Sequence, residues 1–325
     1  MRMTDTRVTI LVAALFGLCV LPATPTQAQS WPQRAVKFIV PLGPGAGADI
    51  GARLFADRLS ARWGRPVVVE NRPGADSLVA IKAFVGANDD HTLLFGPSGS
   101  FTVHPFQYEK LPYMPDDLQP IARVSNTIVA LGVPASMKVG TLEEFVARAR
   151  AEPGKLNAAV VPGITEFTFD YFAKMAGLNL AKVPYRDIVQ AATDLGEGRV
   201  QVMVSSYAIL KPHTEAGRVK TLVVTGRQRA SILPQVPTAI EAGYPALELE
   251  GLAGLFGPRG MPRELRERIG ADVVAVASDP VVSARLIGTA QVVNPGGPAE
   301  FGAAIDAQTA QVAAIAKALG IKPKQ

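Results

Sequence analysis

The hydrophobic positions of this chain follow two spacings. From Val36 onward, short runs rich in β-branched residues are separated by longer stretches whose apolar residues recur with helical spacing. Strands and helices in alternation are typical of βαβ units, which build largely parallel sheets. The predicted strands are residues 36–40, 67–70, 92–95, 121–124, 128–133, 156–161, 180–184, 199–204 and 219–225. The pattern therefore predicts an α/β fold.

Helix boundaries support this assignment. Thr141 and Glu144 have the spacing of a capping box, in which each side chain bonds a backbone N–H at the start of a helix, and this helix should end at Pro153. A second helix is predicted over residues 165–176, because Gly177 follows it in the position where a left-handed residue commonly ends a helix.

The pattern changes near residue 233. A connection with two prolines (233–237) is followed by a predicted strand over residues 246–252 and a turn over 254–258. Three helices are then predicted over residues 262–277, 280–287 and 298–319. We expect this helix-rich tail to pack back onto the first lobe.

The N-terminus has the layout of a secretory signal peptide. Arg2 and Arg7 precede an apolar run over residues 8–21, and small residues lead to a cleavage site expected after Ala28. The run is shorter than a membrane-spanning helix requires. A lipid anchor on Cys19 is the alternative, but the apolar run continues past that residue.

Composition narrows the possible functions. Cys19 is the only cysteine, so we expect no disulfide and no thiolate metal site in the exported chain. The net charge of +5 is spread along the sequence without a basic cluster, which argues against nucleic-acid binding. His91, His104 and His213 are isolated and have no carboxylate pair at metal-binding spacing, so no metal is expected. A chain of this length should form two lobes.

Five predicted strand-to-helix loops carry glycines, hydroxyls or charges. Ligands of open α/β sheets bind beyond the carboxyl ends of the strands, where helix N-termini offer free N–H groups. The candidate ligand-binding residues are Gly43, Pro44, Gly45, Ala46, Gly47, Asp49, Ser98, Gly99, Gly163, Ile164, Thr165, Tyr185, Arg186, Asp187, Ser205 and Ser206. We interpret them together as one binding surface.

The first of these loops has two interpretations. Its three glycines allow backbone N–H groups to approach a ligand, and Asp49 can cap the helix expected from Ile50, although a tight turn would also explain a glycine here. A dinucleotide fingerprint would need a glycine where Ala48 stands. Because export would also separate the chain from its cofactor pool, we do not expect an NAD-type enzyme. We expect no cofactor.

Several motifs resemble one known family. The segments are residues 36–49, 64–75, 92–96, 111–113, 153–157, 183–185 and 233–238, and they include Val-Glu-Asn-Arg-Pro-Gly and Pro-Gly-Lys-Leu-Asn. In order and spacing they resemble the substrate-binding proteins of tripartite tricarboxylate transporters, also called Bug receptors. The resemblance covers essentially the whole exported chain.

The resemblance implies a two-lobed periplasmic binding protein, type II-like, in which each lobe is a mostly parallel sheet flanked by helices and two strands cross between lobes. We expect lobe 1 over residues 29–127 and 229–325, and lobe 2 over residues 128–228. It further implies a monomeric periplasmic receptor that is not an enzyme, that binds a small organic acid and that delivers it to the large and small subunits of an inner-membrane permease.

Departures from the family pattern leave the ligand open. The Ser/Gly-rich run usual after the strand at 156–161 is replaced by Pro162-Gly163-Ile164-Thr165-Glu166, and Arg186-Asp187 replaces a Lys-Gly-Ser type of sequence. Asp187 either caps the helix at Ile188 or faces the ligand. Two other functions compete: an exported α/β hydrolase, for which no Gly-x-Ser-x-Gly motif is present, and a ligand-sensing input for a signalling partner.

Overall fold

The structure is a computed structural model that describes residues 31–323. The predicted signal peptide, its cleavage site and Cys19 lie outside the described residues. A compact unit begins at Arg34 and contains every strand and helix of the described chain. Within residues 31–323, no helix is both long enough and apolar enough to cross a membrane.

The strands follow the predicted order closely. They are β1 (Val36–Val40), β2 (Val67–Asn71), β3 (Thr92–Pro97), β4 (Gln119–Thr127), β5 (Val129–Pro134), β6 (Asn157–Val160), β7 (Ala181–Pro184), β8 (Val202–Ser206), β9 (Val219–Val224), β10 (Gly251–Gly257) and β11 (Gln291–Gly296).

Helices fill the connections. They are α1 (Gly47–Trp63), α2 (Leu78–Ala87), α3 (Gly99–Gln107), α4 (Leu142–Ala151), α5 (Ile164–Met175), α6 (Ile188–Gly196), α7 (Tyr207–Glu215), α8 (Arg263–Ala277), α9 (Pro280–Gly288) and α10 (Pro298–Leu319). Thr141 caps α4 as predicted, since Glu144 N–H donates to Thr141 Oγ1 at 3.1 Å. The second bond of the predicted capping box does not form, because the Glu144 carboxylate accepts from Gly140 N–H at 2.5 Å rather than from Thr141 N–H.

The strands form two sheets. The first has the order β11-β4-β10-β3-β1-β2 and the second has the order β7-β6-β8-β5-β9. β1 pairs parallel with β2 and β3, and β6 pairs parallel with β7 and β8. The other pairings, which involve β4, β5, β9, β10 and β11, are antiparallel.

The sheets are therefore mixed, and the expectation of mostly parallel sheets is wrong in this respect. The chain reaches β5 and β10 by crossing over from the other sheet. Each of these strands therefore starts at the edge where the neighbouring strand, β8 or β3, ends, and runs antiparallel to it. The α/β class is confirmed, with helices between the strands of both sheets.

Two segments connect the sheets. Ile128 alone separates β4 from β5, and residues 225–250 lead from β9 back to β10. Ala239, Leu247 and Leu249 pack in the core of the second sheet, so their packing favours a later end of the second lobe than residue 228. The lobe boundaries themselves stay a prediction. We call the space between the edges at which β1, β3, β6 and β8 end the cleft.

The tail packs onto the first sheet, as expected. Phe301 of α10 is fully buried beside Phe256 of β10, with ring centroids 5.0 Å apart. The predicted strand over 246–252 is wrong except at its end, because residues 245–247 form a 3-10 helix and β10 begins only at Gly251. The predicted turn over 254–258 is wrong, because β10 continues to Gly257. The glycines here serve close packing: a Cβ on Gly254 would collide with the Ala122 carbonyl oxygen and with the Phe301 ring.

Candidate functional site

The loop between β1 and α1 is closed by Asp49. Its carboxylate accepts hydrogen bonds from Gly45 N–H and Asn71 Nδ2, both at 2.8 Å, and pairs with Arg53 at 3.0 Å. Burial raises the pKa of Asp49, but the hydrogen bonds from Arg53, Gly45 and Asn71 outweigh burial and lower that pKa. The expectation that Asp49 caps its helix is wrong, because α1 begins earlier, at Gly47, and Asp49 instead folds the loop back on itself.

The remainder of this loop is more accessible. Pro44 and Gly45 are exposed, and Gly43, Ala46 and Gly47 are half-buried. Of the three glycines only Gly45 has a positive φ, +85°. The loop as a whole therefore presents backbone at the cleft edge, and its conformation requires glycine at one position.

Gly47 lies beside the start of β11. A Cβ added to it would lie 3.8 Å from Gln291 Nε2, which donates to the Gly47 carbonyl oxygen at 3.3 Å. This contact joins the N-terminus of α1 to β11. The residue before β11, Ala290, in turn contacts the crossing, because its carbonyl oxygen accepts from Ile128 N–H at 3.2 Å.

Ser98, at the end of β3, does not offer its hydroxyl to the cleft. Ser98 is fully buried, and its Oγ donates to Gln308 Oε1 on α10 at 2.7 Å. Its N–H donates to the Leu252 carbonyl oxygen at 3.0 Å. Ser98 thus joins α10 and β10 to the loop after β3. Its hydroxyl, which was expected to face a ligand, is instead bonded to Gln308.

The loops after β3 and β6 meet across the two sheets. A Cβ added to Gly99, the first residue of α3, would lie 2.7 Å from Ile164 Cγ2, in the first residue of α5. Gly163, with φ +135°, lies against Asp76 of the first sheet: a Cβ there would be 3.7 and 3.8 Å from the two carboxylate oxygens. The structure therefore brings together three of the predicted residues, Gly99, Gly163 and Ile164.

The first turn of α5 contains the acidic residue that departs from the family pattern. Glu166 pairs with Lys182 at 2.6 Å, and Lys182 also pairs with Asp170 at 2.7 Å. The charge of Glu166 is thus balanced by a partner on the neighbouring strand β7. Thr165 is half-buried in the same turn.

The loop after β7 contributes to its own helix. Asp187 Oδ1 accepts from Val189 N–H at 2.8 Å, so the capping interpretation of Asp187 is confirmed. Tyr185 Oη donates to Asp194 Oδ2 at 2.7 Å, and burial together with this hydrogen bond raises the pKa of Tyr185 to about 12. Neither polar group is directed to a ligand in this structure. Arg186 is exposed.

The loop after β8 adjoins the crossing between sheets. Tyr207 N–H donates to the Ile128 carbonyl oxygen at 2.7 Å, which places Ser206 beside the crossing at Ile128. Ser205 is 1% exposed, and its Oγ has no hydrogen-bond partner among the described residues. A buried hydroxyl without a partner is costly, so Ser205 is a candidate donor to a bound solute or water.

Four helices begin at the cleft without a side-chain cap, although the first N–H of α7, that of Tyr207, is already bonded to Ile128. No side chain caps α1, α3, α5 or α7, whereas Asp187 caps α6. Uncapped N–H groups and the helix dipole attract anions. The arrangement can therefore bind a carboxylate through backbone N–H groups, without a cationic side chain.

One residue of this surface was missed by sequence reasoning. Asp76 lies in the loop before α2 and faces Gly163 across the cleft. The sequence did contain a signal for a loop followed by a helix start at this point. The turn dipeptide Pro73-Gly74 is followed by Asp76 and Ser77, two residue types that commonly cap helices, and then by an apolar run.

A cavity of about 730 Å³ lies at the crossover segments and α10. None of the predicted site residues lines it. Arg227 bonds both acidic residues that line it: Arg227 Nε donates to Glu248 at 2.6 Å, and the backbone N–H of Arg227 donates to Glu250 at 3.0 Å. We call it the hinge cavity. It is the alternative location for a solute.

The histidines were expected to lack a carboxylate pair, and for His91 this is wrong. Ligand atoms of Asp89, Asp90 and His91 lie within 4.8 Å of one another. Asp89 already accepts from His91 N–H at 2.7 Å and from Thr92 Oγ1 at 3.0 Å, and it pairs with Arg34 at 2.9 Å. These bonds make the cluster a closed turn before β3.

The chain has two mixed sheets flanked by helices, joined by two crossings, and helix N-termini without side-chain caps lie between them. This arrangement defines a two-lobed solute-binding protein. The family model for the tripartite tricarboxylate transporter family receptor matches residues 51–320. The chain belongs to this family, and the resemblance found in its sequence is confirmed. Members of the family are solute-binding proteins, so the chain is a receptor rather than an enzyme.

Individual relatives agree with this assignment. A UPF0065 protein from the tcbD-tcbE intergenic region of Pseudomonas sp. strain P51 is 34% identical over 261 residues, which are 78% of this chain and 77% of the relative. An R. palustris protein, Rpa4515, whose structure was solved with adipate, is 29% identical with a TM-score of 0.81, covering 90% of this chain and 100% of that one. The periplasmic binding protein BugD is 25% identical with a TM-score of 0.77, again covering 90% and 100%.

Proposed function

We propose that this chain captures a small carboxylate-bearing solute in the cleft and delivers it to a membrane permease made of a large and a small subunit. The observation that carries the proposal is the meeting of α3 and α5 at Gly99 and Ile164, where two uncapped helix N-termini approach each other from the two sheets. Helix N-termini bind carboxylates through N–H groups and the helix dipole.

The solved relatives support the carboxylate. The R. palustris neighbour, which has the same fold over 90% of this chain, was solved with adipate, a dicarboxylate. The family model supports delivery to a tripartite tricarboxylate permease. We include in the proposal that the chain acts in the periplasm, after removal of residues 1–28, as a monomer and without a cofactor or metal.

Binding is tested with the chain from residue 29 onward. A thermal-shift screen of dicarboxylates, amino acids and aromatic acids should find acids that raise the melting temperature with concentration, since a ligand of the folded state stabilises it by mass action. Calorimetry on the hits should give one site per monomer. Failure of every acid to bind, or turnover of a hit, would contradict the proposal.

Delivery is tested by capture. The receptor immobilised with its best acid should retain the two permease subunits from solubilised membranes, and should retain less of them without the acid. Retention of a sensor protein in place of the permease would favour a signalling role. The Gly45→Val variant, which we expect to bind acid at least about tenfold more weakly, is the matched control.

A further inference from the structure

We propose that Asp76 makes the cleft selective for acids that carry an amino group beside a carboxylate, with the Asp76 carboxylate accepting hydrogen bonds from the ammonium group. The inference rests on the proposed function and adds to it a class of solute: amino acids and their close analogues, in preference to plain dicarboxylates.

The backbone of the loop is the first observation. Ala75, Asp76 and Ser77 have φ of 47°, 47° and 72°, so three successive residues with side chains occupy the left-handed region. Residues other than glycine, asparagine and aspartate avoid this region, and such conformations persist at functional sites where the surroundings impose them.

The surroundings do impose it. Ser100 Oγ donates to Asp76 Oδ1 at 3.0 Å and accepts from Ser77 Oγ at 3.0 Å. His104 is fully buried, and its Nε2 donates to the Asp76 carbonyl oxygen at 2.9 Å, while its Nδ1 lies 2.7 Å from Tyr113 Oη. The Asp76 side chain is thus held by Ser100, and its backbone is held by His104.

The second carboxylate oxygen has no partner. Asp76 Oδ2 is buried and makes no hydrogen bond among the described residues. His104 Nε2 lies 3.5 Å away, but its proton is directed to the Asp76 carbonyl oxygen at 2.9 Å. A buried carboxylate oxygen without a donor is unfavourable, so a bound donor would be strongly favoured there.

The position of this oxygen points to a solute. Both carboxylate oxygens face Gly163 of the second sheet, at 3.7 and 3.8 Å from where its Cβ would be, beside the free N-terminus of α5. The helix N-terminus favours an anion and Asp76 favours a cation. An α-amino acid satisfies both, because its ammonium and carboxylate groups are attached to the same carbon. Since Gly163 covers the carboxylate in this structure, the solute must enter while the sheets are further apart.

The charge of Asp76 also acts on its neighbours. Burial, and after it the negative charge of Asp76, raise the pKa of both Tyr108 and Tyr113. No cationic side chain forms an ion pair with Asp76 in the described chain apart from the contact with His104. The field of this carboxylate is thus available to a ligand.

Calorimetry with matched acids tests the inference. Adipate is compared with 2-aminoadipate, and succinate with aspartate, so that each pair differs only in the amino group. The wild-type chain should bind at least one amino acid about tenfold or more tightly than its partner, as expected for a charge-assisted hydrogen bond. Asp76→Asn should bring the ratio of the two dissociation constants close to one, and asparagine keeps the left-handed backbone.

Two further variants separate this role from a structural one. Glu166→Gln removes one negative charge from the first turn of α5 without touching Asp76, and it should leave the ratio unchanged. Ser100→Ala keeps the Asp76 charge but removes its positioning bond, and it should reduce the ratio in part. Equal affinities within each pair, an unchanged ratio in Asp76→Asn, or an equal effect of Glu166→Gln would overturn the inference while leaving acid binding intact. If no acid binds, the proposed function fails and the inference fails with it.

Discussion

Ile164 of the second sheet packs directly against the backbone of Gly99 of the first: a Cβ on Gly99 would lie 2.7 Å from Ile164 Cγ2 and 3.4 Å from Ile164 Cβ. The sheets can approach this closely only because residue 99 has no side chain. Ile164 also packs in the core of the second sheet and against α10, so it has little freedom to move aside.

Gly99→Ala should therefore weaken closure. Overpacking of this kind costs about 1–3 kcal/mol, and we expect acid affinity to fall about tenfold or more while the melting temperature changes little. Adding Ile164→Ala removes Cγ2 and should restore part of the affinity. Calorimetry on the single and double variants measures this coupling; additive effects would show that the contact does not limit closure.

The conformation of the β1–α1 loop depends on Gly45. Its φ of +85° is unfavourable for any side chain and most unfavourable for a β-branched one, although a Cβ there would have nothing within 4 Å. Gly45→Val should lower acid affinity at least about tenfold with a folded circular dichroism spectrum. Gly86→Ala, near the C-terminal end of α2 and outside the binding surface, also has open space around its Cβ and no positive φ; it is the control and should bind normally.

Asp187 should affect stability and leave affinity unchanged. It caps α6 by accepting from Val189 N–H at 2.8 Å. Asp187→Ala should lower the free energy of unfolding by about 1 kcal/mol, and Asp187→Asn should retain most of it. Denaturant unfolding measures the first effect and calorimetry the second. A large change in affinity for either variant would assign Asp187 to the binding surface instead.

The Tyr185–Asp194 bond should make stability pH-dependent. Hydrogen bonds, first from Tyr185 and then from Arg199, lower the pKa of Asp194 below its ordinary value of 3.8. The ionised form is thus favoured in the folded chain, and its contribution is present above pH 3.8 and lost as the pH falls through the folded pKa.

Tyr185→Phe should consequently be less stable than wild type at pH 7, and the difference should shrink in acid. At the alkaline end, the raised pKa of Tyr185, about 12 against an ordinary 10.0, keeps it protonated between those values. Its contribution should be lost as the pH rises towards 12. Denaturation curves at several pH values check both directions; a constant difference between the two proteins would contradict them.

The sequence predicted the order of elements well, because periodicity and turn residues are local properties. It failed where packing between distant segments decides. Gly254 resembled a turn glycine but lies inside β10, where it avoids the Ala122 carbonyl oxygen. β11 was missed because its sequence, Gln-Val-Val-Asn-Pro-Gly, has only two β-branched residues before a proline.

The sequence predicted which loops form the candidate binding surface, but it did not predict what each side chain in them bonds. Strand ends can be predicted from the hydrophobic pattern, so Gly99, Gly163 and Ile164 were predicted to lie at the same surface, and the structure brings them together. The partner of Ser98 could not be predicted from local pattern, since Gln308 is 210 residues away. The partner of Tyr185, Asp194, is only 9 residues away but lies in α6, outside the predicted loop. Asp76 was missed because its importance comes from Gly163 on the other sheet.

A crystal structure of the chain with its tightest-binding acid tests the central claim most directly. We expect one solute in the cleft, bounded by the loop at residues 43–47 and by the N-termini of α3 and α5, with its carboxylate bonded to backbone N–H groups. A solute in the hinge cavity beside Arg227 and Glu250, with the cleft empty, would contradict the claim.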